Sequence, residues 1–174
     1  MELTYSLCCL TDLVQLREIS EQTFTTAFEK DNDPTDFKKY VEQAFALATI
    51  KKELLNPNSD FYFACFNKEL VGYFKLNVKE AQSELKHDDG IELERIYVLK
   101  KHQGLGYGEQ MLLHIKNIGH NRNKKILWLG VWQENKGAIQ FYERHGFQKF
   151  GTHPYFIGSD EQTDWLMRFH LSIL

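Results

Sequence analysis

Gln103-Gly104-Leu105-Gly106-Tyr107-Gly108 is the most informative stretch of this chain. A strand-like run at residues 91–98 precedes it, and a helical run at about residues 106–120 follows it. Glycines let a backbone turn sharply and approach a ligand closely. The first N–H groups of a helix have no partners within the helix, and the helix dipole favours an anion there. The stretch therefore predicts either a phosphate-binding turn or a tight turn whose glycines serve packing alone.

Two common nucleotide-binding motifs do not fit this turn. The dinucleotide-binding motif needs a third glycine where this chain has Glu109. It also needs an acidic residue about 20 positions further on, where Trp128 and Leu129 stand. The Walker motif fails because no Gly-Lys-Ser/Thr sequence follows the turn. The turn is therefore not a site of either class.

A second motif follows the next strand-like run, residues 125–132. It reads N-x-x-A-x-x-F-Y-x-x-x-G-F, from Asn135 to Phe147. Together with the earlier Q-x-x-G-x-G, in this order, it resembles the GCN5-related N-acetyltransferase (GNAT) family. Segments 81–84, 91–98, 126–132 and 161–164 resemble the Pai-type branch, bacterial acetyltransferases of spermidine and spermine. The likeness covers nearly the whole chain and implies acetyl transfer from acetyl-CoA to an amine.

The apolar pattern predicts elements in the order β-α-α-α-β-β-β-α-β-α-β-β. The first strand is expected at residues 3–10 and the last two, as an antiparallel pair, at residues 147–156 and 162–171. This order is typical of an α/β or α+β fold. The resemblance implies a mixed, mostly antiparallel sheet of about seven strands with helices on both faces. With no repeat or linker in the sequence, we expect one domain over residues 1–174.

The resemblance also implies where acetyl-CoA binds. The pyrophosphate would lie on backbone N–H groups of the glycine turn, and the pantetheine arm would extend along the strand at residues 91–98. Asn135 would contact the same arm. The implied cofactor-binding residues are Ile96, Tyr97, Val98, Gln103, Gly104, Leu105, Gly106, Tyr107, Gly108, Glu109, Asn135 and Tyr142.

Three residues are candidates for catalysis. Tyr142 stands where the family has its general acid, and a phenol of pKa ~10 can protonate a thiolate of pKa ~8.5. Glu92, eleven residues before Gln103, stands where histone-type relatives have their base. Glu94 shares the strand face of Glu92 by period two. For each glutamate three roles stay open: general base, anchor for a cationic substrate, or ion pair with Arg95 or a lysine.

Composition argues against several other functions. The net charge of the 174 residues is −3, and the basic residues are dispersed, which disfavours nucleic acid as a partner. No apolar run approaches the ~20 residues of a membrane span, and the N-terminal segment lacks the basic start of a signal peptide. Cys8, Cys9 and Cys65 form no C-x-x-C pair. They predict buried, reduced thiols, a cytoplasmic location and no metal site.

The Pai-type branch implies a polyamine as the small-molecule acceptor. Acidic loops at Asp31, Asp33, Asp88 and Asp89 would help to attract it. Two alternatives remain: acetylation of another amine, such as a protein N-terminus or an aminoglycoside, and a CoA-binding regulatory protein with little activity. A homodimer is left open as the assembly.

Overall fold

The computed structural model describes residues 2–157 and 160–171. Five α-helices and seven strands lie within this part of the chain, in the predicted order. They are β1 (Thr4–Leu7), α1 (Leu13–Phe28), α2 (Pro34–Ala44), α3 (Leu47–Leu54), β2 (Ser59–Phe66), β3 (Glu69–Asn77), β4 (Gly90–Val98), α4 (Tyr107–Asn121), β5 (Ile126–Trp132), α5 (Lys136–Arg144), β6 (Gln148–Ile157) and β7 (Asp160–His170).

The strands form one mixed, mostly antiparallel sheet in the order β1-β2-β3-β4-β5-β7-β6. This confirms the predicted fold class. Strands β4 and β5 are parallel, and their pairing joins Gly90–Glu92 to Ile126–Trp128 and then ends. Beyond Glu92 and Trp128 the two strands separate. A slot therefore opens in the middle of the sheet.

Helices cover both faces of the sheet, as predicted. On one face, Met111, Leu112 and Ile115 of α4 are fully buried against the strands. On the other face, Leu16 of α1 and Ile50 of α3 are fully buried in a second core. Burying such a side chain contributes about 1.5–3 kcal/mol. The slot is thus held between two packed layers.

A β-bulge in β4 directs the side chains near the slot. Lys75 pairs with Arg95, and Leu76 pairs with Leu93, so Glu94 is an extra residue on β4. As a result, Glu94 and Arg95 both reach the same ion cluster on the face covered by α1–α3. Simple alternation would have placed these two neighbours on opposite faces of the sheet.

The prediction of three buried thiols is wrong for Cys9. Strand β1 ends at Leu7, three residues before the predicted end, and Cys9 lies in the turn that follows. Its backbone N–H donates to the Asp12 carboxylate at 2.8 Å, which holds this turn and exposes the side chain. Cys8 is buried and Cys65 is half-buried, and all three thiols are free.

Candidate active site

Two cavities meet at the slot between β4 and β5. The glycine groove, about 560 Å³, runs along the turn before α4 and the start of α5. The aromatic cavity, about 390 Å³, lies between the sheet and the helices α1 and α2. Its aromatic lining residues are Phe24, Phe28, Tyr40, Phe45, Tyr97, Trp128, Trp132, Tyr142 and Tyr155. Both cavities are lined by Ile96, Asn135, Ala138 and Tyr142, so ligands in the two cavities would meet there.

The glycine turn offers an open row of backbone donors. Gly104 and Gly106 have φ of +78° and +77°, a region that side chains with a Cβ rarely adopt. A Cβ on either glycine would meet no atom within 4 Å, so the space above the turn is open. Among the described residues, no backbone carbonyl accepts from the N–H groups of residues 104–109. Free donors at the start of α4 fit a phosphate group.

The side chains of the turn have differing surroundings. Gln103 Nε2 donates to the Val98 carbonyl at 3.1 Å, which joins the turn to the end of β4. Tyr107 is buried, whereas Leu105 is 54% exposed. The carboxylate of Glu109 is also exposed. The side chains of the predicted turn residues therefore have no common environment, whereas their backbone N–H groups form one open row. The family resemblance implies that these N–H groups bind the pyrophosphate.

The predicted strand residues divide between the two faces of β4. Ile96 lines both cavities, and Val98 lines the glycine groove. The side chain of Tyr97 lies on the opposite face, where its ring stacks on Tyr73 with centroids 5.8 Å apart. Tyr97 can therefore offer only its backbone to a ligand in the groove.

Helix α5 carries the predicted acid. Asn135 Oδ1 accepts from the Ala138 N–H at 3.1 Å and so caps the helix. Tyr142 lies two turns further on, buried between the rings of Phe141 and Phe147. Burial raises the pKa of Tyr142, so its phenol remains protonated at neutral pH. It is placed at the junction of the two cavities.

Glu92 lies in the wall of the aromatic cavity and is only 3% exposed. Its carboxylate accepts from the Ser83 N–H at 2.9 Å, the Ser83 hydroxyl at 2.6 Å and Asn77 Nδ2 at 3.0 Å. Burial raises the pKa of Glu92, and these hydrogen bonds offset only part of that shift. Glu92 therefore binds a proton more readily than an ordinary glutamate does.

Segment 81–84 has a structural role in this arrangement. Gln82 is buried and accepts from Trp128 Nε1 at 2.8 Å, while its amide donates to the His87 carbonyl at 3.0 Å. These contacts fasten the loop between β3 and β4 over the sheet. The next residue, Ser83, is thereby held against Glu92.

Glu94 has different surroundings. Its carboxylate lies 2.6 Å from Lys75 Nζ and 3.2 Å from Arg95 Nη2. The same two cations contact Glu53, at 3.2 and 3.0 Å. Burial alone would raise the pKa of Glu94, but the charges of Arg95 and Lys75 outweigh it and lower this pKa. Of the three roles left open for Glu94, the ion pair is the one present in the structure.

The acidic loops lie outside the aromatic cavity. Asp33 caps α2 by accepting from the N–H groups of Thr35 and Asp36. Asp89 pairs with Lys125 at 2.7 Å. Neither these two residues nor Asp31 and Asp88 line the cavity.

Asp164 and His153 are polar residues of the cavity that were not among the predicted site residues. Asp164 on β7 and His153 on β6 line its wall, with Asp164 Oδ2 3.9 Å from His153 Nε2. Burial raises the pKa of Asp164. Asp164 falls in segment 161–164, which carries part of the Pai-type resemblance, but nothing in the sequence ties it to His153.

Comparisons with known proteins identify the class of enzyme. The family model described as "Acetyltransferase (GNAT) family" matches residues 13–147. An uncharacterised N-acetyltransferase of Lactobacillus delbrueckii subsp. lactis is 39% identical over 157 residues, 90% of this chain and 91% of the relative. The chain belongs to the GNAT acetyltransferase family. It is an acetyl-CoA-dependent N-acetyltransferase, and the open amide row of the glycine turn fits this cofactor.

Two more similarities bear on the fold and the substrate. The PaiA N-acetyltransferase of Thermoplasma acidophilum in complex with coenzyme A superimposes with a TM-score of 0.77 at 17% identity, covering 98% of this chain and 99% of that one. This similarity shows the fold. The spermine/spermidine N(1)-acetyltransferase of Bacillus subtilis is 27% identical over 84 residues, 48% of this chain and 55% of that protein.

Two further findings concern membranes and metals. In residues 2–157 and 160–171, no helix has the length and apolarity needed to cross a membrane. Over the same residues, no group of three or more His, Cys, Asp or Glu side chains could hold a metal ion.

Proposed function

We propose that this enzyme transfers the acetyl group of acetyl-CoA directly to a primary amine of a polyamine such as spermidine or spermine. The observation that carries the proposal is the junction of the two cavities at Ile96 and Tyr142. The glycine groove is the cofactor side, and the aromatic cavity is the acceptor side. A cytoplasmic location and a single domain over residues 1–174 belong to the same proposal.

The glycine turn and β4 would hold the cofactor. N–H groups of residues 104–109 would bind the pyrophosphate, and the backbone of Ile96, Tyr97 and Val98 would pair with the pantetheine arm. The separation of β5 from β4 leaves this strand edge accessible. When bound, acetyl-CoA supplies an acetyl group activated as a thioester.

Glu92 is the proposed general base. An amine can attack only after it has lost its proton, and a buried carboxylate with a raised pKa is suited to accept that proton. The proton would reach Glu92 directly or through a water molecule. Glu94 is a poorer candidate, because Lys75 and Arg95 stabilise its charged form.

Tyr142 is the proposed general acid. Its hydroxyl keeps its proton at neutral pH, and Tyr142 lines both cavities, which supports donation of this proton to the leaving sulfur. Donation of this proton lets the thiol leave in its neutral form. Base and acid thus come from different elements, β4 and α5, on the two sides of the slot.

The polyamine part of the proposal has two supports. The spermine/spermidine acetyltransferase of Bacillus subtilis is a relative, though over about half of this chain. The aromatic cavity combines carboxylates with aromatic faces, and both attract ammonium groups.

A panel of acceptors tests the function. The enzyme is incubated with acetyl-CoA and, separately, spermidine, spermine, a peptide with a free N-terminus and an aminoglycoside. Release of CoA is followed by thiol titration, and the acceptor is examined by mass spectrometry. We expect acetylated spermidine and spermine. Acetylation of the peptide or the aminoglycoside alone would contradict the polyamine assignment, and absence of any product would favour a CoA-binding regulator.

A further inference from the structure

Besides Glu92 and Glu94, the aromatic cavity contains a third carboxylate, Asp164, which is well separated from Glu92. Glu92 pairs with Trp128 on one side of β5, and Asp164 pairs with Trp132 on the other side, four residues further along β5. With ~3.3 Å per residue and ~4.8 Å between strands, the backbone positions of Glu92 and Asp164 are about 16 Å apart. Both residues line the same cavity, so it can contact an elongated ligand at two acidic points.

Unlike Glu94 in the same cavity, Asp164 forms no ion pair with a lysine or arginine among the described residues. Its side chain is 16% exposed, and its nearest basic partner among the described residues is the His153 imidazole, at 3.9 Å, which is a cation only when protonated. The other ring nitrogen of His153 lies 3.1 Å from the Glu84 carboxylate, so this histidine is shared between two acids. Glu94, by contrast, contacts both a lysine and an arginine. Removing a carboxylate from water without a nearby cation is costly, and a cationic ligand would relieve that cost for the half-buried Asp164.

The space above Asp164 is open because β5 has a glycine there. A Cβ on Gly130 would lie 3.4 Å from Asp164 Oδ2 and 3.8 Å from His153 Nε2. Any larger side chain would cover the carboxylate. Gly130 itself lines the cavity and is exposed to it. The glycine thus keeps a passage to Asp164 that a ligand group can enter.

Aromatic rings surround the approach to this carboxylate. Trp132 and Phe28 meet edge to face with centroids 6.4 Å apart. The hydroxyls of Tyr40 and Tyr155 are hydrogen-bonded to each other across the cavity. Aromatic faces accommodate methylene groups and also attract cations. Such walls fit an aliphatic chain that ends in an ammonium group.

We propose that Asp164, beside Gly130, binds a second ammonium group of the acceptor while the amine at the other end of the acceptor reacts. This subsite selects aliphatic diamines and polyamines over monoamines. The inference rests on the proposed function, because it takes the aromatic cavity as the acceptor side.

The test compares two amines with the same carbon chain, putrescine and n-butylamine. Asp164→Asn keeps the shape of the side chain and removes its charge. We expect kcat/KM for putrescine and spermidine to fall about 10- to 100-fold, the equivalent of one charged hydrogen bond. The value for n-butylamine should change less than about twofold, since that amine has no second charge to lose. Glu161→Gln, a neutralised acid at an exposed position of the same strand, is the matched control.

A second variant tests the subsite without altering any charge. Gly130→Ala places a methyl group against the Asp164 carboxylate. This variant should also lower kcat/KM for putrescine more than kcat/KM for n-butylamine. Equal effects on the two amines in both variants would overturn the subsite while leaving the proposed function intact. Failure of the wild-type enzyme to acetylate either diamines or polyamines, with acetyl-CoA bound as shown by calorimetry, would overturn the proposed function itself.

Discussion

Ser83 donates two hydrogen bonds to Glu92, one from its backbone N–H at 2.9 Å and one from its hydroxyl at 2.6 Å. Both bonds favour the charged carboxylate, whereas burial favours the protonated form. The pKa of Glu92 is raised by the balance of the two. Ser83 therefore orients the proposed base and limits the rise of its pKa.

Glu92→Gln should lower kcat by roughly 10²–10⁴, the usual contribution of acid–base catalysis. Glu92 accepts a proton only as a carboxylate, which predominates above its pKa. Because that pKa is raised, the wild-type rate should fall with decreasing pH at a value above the ordinary glutamate pKa of ~4.3. In a profile of kcat/KM against pH, this fall at low pH is the acidic limb. The Glu92→Gln variant should lose the acidic limb, and Glu80→Gln, a control at an exposed position, should keep it. An unchanged limb in Glu92→Gln would count against the base role.

Ser83→Ala should move the same acidic limb to higher pH. The variant removes the hydroxyl donor and keeps the backbone one, so the carboxylate loses one stabilising bond. A hydrogen bond to a charged group of about 1.5 kcal/mol corresponds to a shift of about one pH unit. The maximal rate should stay within a few-fold of wild type. A limb that stays in place, or moves to lower pH, would show that Ser83 does not set the pKa of Glu92.

Sequence predicts this site well where its parts are local. The glycine turn and the helix carrying Tyr142 are continuous stretches, so their motifs contain the spacing that the structure uses. The sequence could not tell which of Glu92 and Glu94 is the base and which forms an ion pair. Glu94 meets Lys75 through pairing of β4 with β3 and through a bulge, and neither can be deduced from an alternating pattern.

Contacts between distant strands explain what the sequence missed. Asp164 and His153 meet because β6 and β7 pair in one particular register, in which these two residues face each other. The exposure of Cys9 depends on where β1 ends, which a short local contact with Asp12 decides. The order of elements was predictable because apolar runs at helical or strand spacing alternate with polar turn segments along the chain.

Glu94→Gln should destabilise the fold by about 2 kcal/mol near neutral pH, because Lys75 and Arg95 would keep only Glu53 as an anion. The pKa of Glu94 is lowered in the folded protein. Its contribution is therefore present above the unfolded pKa of ~4.3 and is lost as the pH falls through the lowered folded pKa.

Urea denaturation at neutral pH and at a pH below that lowered value measures this difference. Glu42→Gln is the control, since Glu42 pairs with Lys38 on an exposed surface of α2 and should cost at most about 0.5 kcal/mol. Equal losses of stability in the two variants would show that the buried cluster adds nothing beyond a surface pair.

Gly108→Val should weaken acetyl-CoA binding at least tenfold while the protein stays folded. Gly108 lies in the groove, and a Cβ there would meet only the Phe141 ring at an ordinary 3.8 Å. The added methyl groups would occupy the space of the cofactor. Asn117→Val, at an exposed position of the same helix, controls for the cost of a β-branched residue in α4. Calorimetry that gives wild-type affinity for Gly108→Val would refute the groove as the cofactor site.

The central claim is that acetyl transfer takes place where the two cavities meet, with Tyr142 as the acid. The most direct measurement is the single-turnover rate of spermidine acetylation by Tyr142→Phe, with acetyl-CoA affinity measured in parallel. The variant keeps the ring and removes the proton that the thiolate would receive. We predict a rate roughly 10²–10⁴-fold lower than that of the wild type, with nearly unchanged affinity for acetyl-CoA. The control is Tyr5→Phe, which should behave as the wild type; Tyr5 stacks on His114 with ring centroids 3.8 Å apart. A wild-type rate in Tyr142→Phe at neutral pH would contradict the claim.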